Sequence, residues 1–221
     1  KIDGTLWAWG DNFRGELGQG DTTDRNSPVQ VGALTTWAEV AGGYLYSLAT
    51  TTDGKLYAWG YNGDGQLGLS DGTNRSSPVQ IGALTTWSKI SAGYNASYAI
   101  KTDGTLWAWG ANIHGQVGDG TTTTRNSPVQ VGALTTWAKV SGYKWSCLAL
   151  KTDGTLWSWG YNPFGQLGLG DTTARSYPVQ VGALTTWATL GPGFYTGQAI
   201  KTDGTLWVWG SNTYGALGLG G

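Results

Sequence analysis

The chain has one cysteine, one histidine and no methionine in 221 residues. With Cys147 alone, no internal disulfide can form. One His and one Cys cannot supply a zinc site of the usual kind. A nucleophilic triad would have to be built on His114, which occupies a position that changes between repeated units, so it reads as a tolerated surface side chain. Charge is scarce and balanced: 13 basic side chains against 14 acidic ones, with no basic run. Broad binding of nucleic acid through its phosphates is thereby excluded. No apolar stretch approaches a membrane span. No catalytic residue, metal ligand or cofactor motif stands out, and the chain reads as a non-enzyme that needs no cofactor.

What is plentiful is glycine, with 38 residues, and tryptophan, with 14. Both follow from a repeat of 50 residues. Asp3-Gly4-Thr5-Leu6-Trp7 returns from Asp103, Asp153 and Asp203, and nearly unchanged as Asp53-Gly54-Lys55-Leu56-Tyr57. Gly32-Ala33-Leu34-Thr35-Thr36-Trp37 returns from Gly82, Gly132 and Gly182. The units run over about 1–36, 37–86, 87–136, 137–186 and 187–221. Each is too small to bury its own apolar faces, so neighbours must stack.

Within a unit the pattern predicts four short strands, at 38–41, 47–51, 55–59 and 78–81 in the second copy. Asp53-Gly54 is a tight-hairpin signal between strands two and three. Pro78 at the start of strand four suits an outer edge, where no ladder N–H is needed. In Leu6-Trp7-Ala8-Trp9 both alternating sets are apolar or small, as in a sheet covered on both faces. Four-stranded sheets repeated radially make a β-propeller. A helical solenoid is excluded because no 3.6-residue period exists, and a β-helix normally uses shorter coils.

The segment Trp-Gly-x-Asn-x-x-Gly-Gln-Leu-Gly, at 59–68 and 159–168 with close variants at 9–18, 109–118 and 209–218, follows an Asp-Gly-x-Leu-x-x-Trp-Gly strand. This combination resembles the regulator of chromosome condensation repeat family. The resemblance implies a β-propeller, usually of seven blades. Here strand three occurs five times and the others four times, about four blades in a single domain or domain segment. Because the sequence starts and stops in mid-repeat, the expectation is a segment of a larger ring. Exposed edges of an incomplete ring would invite self-assembly.

Successive turns of an up-and-down blade alternate between the two rims of the disc. One rim carries the constant Thr-Asp-Gly and Gly-Ala-Leu-Thr-Thr-Trp segments. The other carries the variable segments: Tyr44-Leu45-Tyr46, Asn95, Lys144-Trp145 and Phe194-Tyr195 in the first turn, and Phe13-Arg14, Asp64, Ile113-His114, Pro163-Phe164 and Tyr214 in the long loop. Drift would favour small polar residues and would act on both rims. Aromatics and Arg confined to one rim are what a recognition surface uses. The Asn and Gly that flank the variable loop residues, Asn62 and Gly65 in the second copy, read as turn geometry.

Several motifs are set aside. Gly63-Asp64-Gly65-Gln66-Leu67-Gly68 spells a dinucleotide fingerprint, but no helix follows. Asp21, Asp71 and Asp171 lie in loops that could hold calcium, but the spacing fits no known loop and Thr121 replaces the acid in the third copy. Arg25, Arg75, Arg125 and Arg175 recur too regularly for a site and are expected to tie down the long loop. The sequence therefore points to a binding module that presents one aromatic rim to a protein or glycan partner. The near-identity of its units is similar to arrays in bacterial and bacteriophage proteins, which suggests a virion decoration or receptor-binding component, virion or extracellular rather than cytoplasmic. The alternatives are a guanine-nucleotide exchange factor, the activity the family's namesake implies, and a purely structural propeller.

Overall fold

The computed structural model describes residues 1–191 and 193–218. Among them are 17 strands in five antiparallel meanders. The first sheet pairs β1 (Trp7–Gly10) with β2 (Arg25–Gln30). A complete blade follows, β3 (Trp37–Gly42), β4 (Tyr46–Thr51), β5 (Leu56–Gly60) and β6 (Arg75–Gln80). The second complete blade is β7 (Trp87–Ala92), β8 (Ala96–Lys101), β9 (Leu106–Gly110) and β10 (Arg125–Gln130). The third is β11 (Trp137–Gly142), β12 (Ser146–Lys151), β13 (Leu156–Gly160) and β14 (Arg175–Gln180). The last sheet holds β15 (Trp187–Leu190), β16 (Thr196–Lys201) and β17 (Leu206–Gly210). The first strands β3, β7, β11 and β15 touch in series and form the inner wall. This is a propeller arc of about four blades, as the repeat count predicts.

Strand four differs from expectation: it begins three residues earlier, at Arg75 rather than Pro78. Pairing runs Tyr57↔Gln80 and Ala58↔Val79, then jumps to Gly60↔Arg75. Pro78 falls in the bulged stretch, where its missing N–H removes no ladder bond.

The core lies between blades. Leu56 and Ala58 of β5 face the following blade and pack with its Trp87, Ile90 and Trp109. Leu106 and Ala108 of β9 repeat the arrangement with Trp137, Cys147 and Trp159. A fully buried Trp removes roughly 150–250 Å² from water, at most about 4–6 kcal/mol. Each junction also has a polar pin. The indole Nε1 of Trp59, Trp109, Trp159 and Trp209 donates to the backbone carbonyl of Glu16, Gln66, Gln116 and Gln166 in the preceding blade, at 2.8–2.9 Å. The glycine two residues on lets the chain lie against that ring. At Gly68 (φ +69°) an added Cβ would fall 2.7 Å from the Trp109 Nε1.

Candidate functional site

The long loop is built around a buried asparagine. Asn62 Oδ1 accepts from the Leu67 N–H at 2.9 Å, and its Nδ2 donates to the Asp71 carbonyl at 2.8 Å. Asn12, Asn112 and Asn162 do the same work in their copies. The recurring arginine closes the loop, as expected. Arg25, Arg75 and Arg175 each pair with Asp21, Asp71 and Asp171 at 2.6 Å. The Thr23, Thr73 and Thr173 N–H groups first, and the arginines after them, hold these carboxyls below the usual range. In the third copy, where Thr121 replaces the acid, Asp119 takes over from two residues upstream. Its Oδ2 accepts from Arg125 Nε at 2.6 Å.

With that frame fixed, the variable side chains converge. In each blade one backbone bond ties the long loop to the first turn: Tyr61, Ala111, Tyr161 and Ser211 donate to the carbonyls of Leu45, Asn95, Trp145 and Tyr195 at 2.8–2.9 Å. All variable segments therefore share one rim. The opposite rim joins Thr52 N–H to the Thr36 carbonyl at 2.8 Å and repeats that bond between Thr102 and Thr86, Thr152 and Thr136, and Thr202 and Thr186.

On the variable rim, the loop residue of one blade meets the turn of the next. Asp64 accepts from Asn95 Nδ2 at 2.7 Å. His114 packs on Trp145 and Tyr161, with ring centroids 5.2 and 4.5 Å away. Phe164 lies 4.8 Å from Tyr195, and Arg14 lies over Tyr61 at 5.4 Å and Phe13 at 5.2 Å. Part of the variation between copies is therefore matched across junctions, one pair at a time. His114 is half-buried in an aromatic cluster rather than a loose surface group, and burial lowers its pKa.

Nearer the axis Tyr44 and Tyr94 stack at 4.1 Å, and Tyr143 meets Phe194 edge-on at 6.1 Å. Lys144 reaches across, with its Nζ 3.7 Å from the Phe194 ring centre and 4.1 Å from that of Trp145. Phe13, Tyr44, Ile113, Phe164, Phe194 and Tyr214 are exposed large apolar side chains, and Pro163 is exposed beside them. Leu45, Asp64, Asn95, Lys144, Trp145 and Tyr195 are half-buried.

Tyr46 is the exception. Only 1% exposed, it belongs to the core, not the rim. It opens β4 and points into the next blade, where the corresponding residue is the small Ala96. Its Oη donates to the Ala96 carbonyl at 2.7 Å and lies 3.1 Å from the Ser97 Oγ, which can donate to it. Burial pushes its pKa well up. Sequence variation here reflects core volume: Tyr46 and Leu48 in one blade become Ala96 and Tyr98 in the next. Cys147 is buried with a raised pKa, as a small core residue would be. The constant rim is not bare: Leu34, Leu84, Leu134 and Leu184 are 41–47% exposed.

The family profile described as regulator of chromosome condensation (RCC1) repeat matches residues 3–50, 53–100, 103–150 and 153–189. A second profile of that description matches 37–66, 87–116 and 137–166. No curated protein sequence is a significant match. Among solved structures, human WBSCR16 superposes with a TM-score of 0.87 at 23% identity, covering 99% of this chain and 60% of that one. Yeast RCC1 (Prp20), solved bound to Kap60, gives 0.85 at 22% identity, covering 98% and 54%. Prp20p from Saccharomyces cerevisiae, in a study of its binding to Gsp1p and histones, gives 0.84 at 23%, covering 99% and 56%. At these identities the likeness is one of fold. The chain spans little more than half the length of these structures.

Proposed function

The chain belongs to the regulator of chromosome condensation repeat family, and from that premise we propose that it is a non-catalytic module that binds a protein partner through its variable rim. The observation that carries this is the row of exposed Tyr44, Phe164 and Phe194 on one rim, continued by Phe13 and Ile113. Exposed aromatic clusters mark contact sites, and such residues supply most interface energy. Relatives of the same fold support it: yeast Prp20 was solved with Kap60 and studied for binding to Gsp1p and histones. A protein is proposed over a glycan because the relatives of the same fold named above were studied with protein partners. A setting on a virion or cell surface is compatible with this reading.

The test is a pull-down with three proteins: wild type, the rim triple Y44A/F164A/F194A, and a constant-rim control, L84A/L134A/L184A. Each rim truncation removes about 1–2 kcal/mol, so the triple variant loses at least roughly a hundredfold in affinity. Wild type and the leucine variant retain the partner. Retention by the rim variant with loss in the leucine variant would move the surface to the other face.

A second reading rests on Trp9. It is 60% exposed, whereas its equivalents Trp59, Trp109 and Trp159 are at most 2% exposed. At the other end of the arc, the Gly215–Gly218 turn repeats the seat that receives each indole, and nothing lies within 4 Å of a Cβ added at Gly218. The two end faces are halves of one junction, so a blade of the same kind, from this polypeptide or a second copy, fits each. Self-assembly would then use blade faces rather than sheet edges.

A further inference from the structure

Lys144 is an exception in its own ring of positions. The equivalent residues are Tyr44, Tyr94 and Phe194. Its ammonium is enclosed by Phe194, Trp145 and Tyr195 rings, with Nζ 3.7, 4.1 and 5.0 Å from their centres. One of its three N–H donors goes to Tyr195 Oη at 3.1 Å. The four arginines that close the long loops all have carboxylate partners, as do Lys55 and Lys89. Among the described residues no carboxylate pairs with Lys144; the same holds for Lys101, Lys151 and Lys201, which lie over tryptophan rings on the constant rim, but Lys144 is the one that lines a cleft on the variable rim. Beside it, at the mouth of the axis, lies a cleft of about 350 Å³ walled by Tyr44, Tyr94, Tyr143 and Phe194 and floored by Gly43 and Gly93. A Cβ at Gly93 would fall 2.6 Å from the Tyr143 carbonyl oxygen, so the floor is fixed by backbone packing.

Resting on the reading of this rim as a docking surface, we propose that the cleft receives an acidic side chain of a protein partner, flanked by apolar residues, with its carboxylate on Lys144. Cation–π contact leaves most of an ammonium's hydrogen-bonding capacity unused. A carboxylate supplies a charge-assisted bond, and the tyrosine and phenylalanine walls take the neighbouring apolar side chains. Phosphates of a nucleic acid would need several cations, and among the described residues lining the cleft the one cation is Lys144.

The experiment is selection of random heptapeptides displayed on phage, against the wild-type chain and against Lys144→Met, which keeps length and apolar reach. Wild type is expected to enrich peptides with Asp or Glu beside apolar residues. A synthetic selected peptide should bind Lys144→Met about tenfold or more weakly. The same loss should follow when its acid becomes the amide, while Lys144→Arg retains binding. Equal melting temperatures for the three proteins confirm that folding is not the cause. Enriched peptides that compete at the rim but carry no acid, or that bind Lys144→Met equally, overturn this inference and leave the docking reading standing. No enrichment at all, with the rim triple variant still retaining its partner, overturns both. Binding of acidic glycans in place of peptides, lost in Lys144→Met, also overturns it.

Discussion

Replacing Gly68 by alanine tests whether the blade junction is packed as tightly as its geometry implies. Gly68 and Gly132 both have positive φ, +69° and +63°. An L-residue in that region costs roughly 1–2 kcal/mol, and Gly132→Ala should lose only this, because nothing lies within 4 Å of its new Cβ. At Gly68 the Cβ would meet Trp109 Nε1 at 2.7 Å and Cδ1 at 3.0 Å. Trp109 is fully buried and pinned to the Gln66 carbonyl, so it cannot swing aside. Overpacking adds about 1–3 kcal/mol, for a total of about 2–5 kcal/mol at Gly68. Urea titration followed by tryptophan fluorescence measures both variants. Trp109→Phe removes the atom that collides, so in a double-mutant cycle it should be less damaging in the Gly68→Ala background by about 1–2 kcal/mol. Equal losses at Gly68 and Gly132, or additivity with Trp109→Phe, would refute the argument.

Two further outcomes are expected beyond the rim and Lys144 tests. The loop-closing carboxyls of Asp71 and Asp171 are lowered by the Thr73 and Thr173 N–H groups and then by Arg75 and Arg175. At Asp119 burial acts upward, but the Thr121 bonds and Arg125 outweigh it. A carboxyl lowered by folding contributes stability above its unperturbed value of 3.8, and that contribution is lost as pH falls through the folded value. The urea midpoint should therefore fall as pH drops below about 4, less steeply in Arg175→Leu; an identical profile would remove the ion pair from the account. Sedimentation velocity over a roughly hundredfold concentration range should show mass rising with concentration for the 221-residue chain and a monomer for Trp9→Ala. A monomer in both cases would count against end-face assembly.

Much of this was legible because duplication leaves its own alignment in the chain. The period, the four strands per blade, the two rims and the arginine closure all follow from positions that do not change. What escaped the sequence is compensation between units. Variation at Tyr46 looks like variation at Tyr44, yet one ring is buried and the other exposed. Only the partner across the junction, Ala96, explains why the core tolerates it. Likewise Thr121 reads as a lost acid until Asp119 is seen to reach the same arginine. The pairs Asp64–Asn95, His114–Trp145 and Phe164–Tyr195 lie 31 residues apart and obey no local period, so only the fold brings them together.

Each junction fastens an indole to a main-chain oxygen, and every residue has such an oxygen whatever its side chain. Glu16, Gln66 and Gln116 are therefore interchangeable as anchors. The indole pins alone would survive the gain, loss or exchange of whole 50-residue units, whereas matched core pairs such as Tyr46 and Ala96 would have to be refitted. Loop chemistry can then diversify while the main-chain anchors stay fixed, provided each new loop residue finds its match in the turn across the junction.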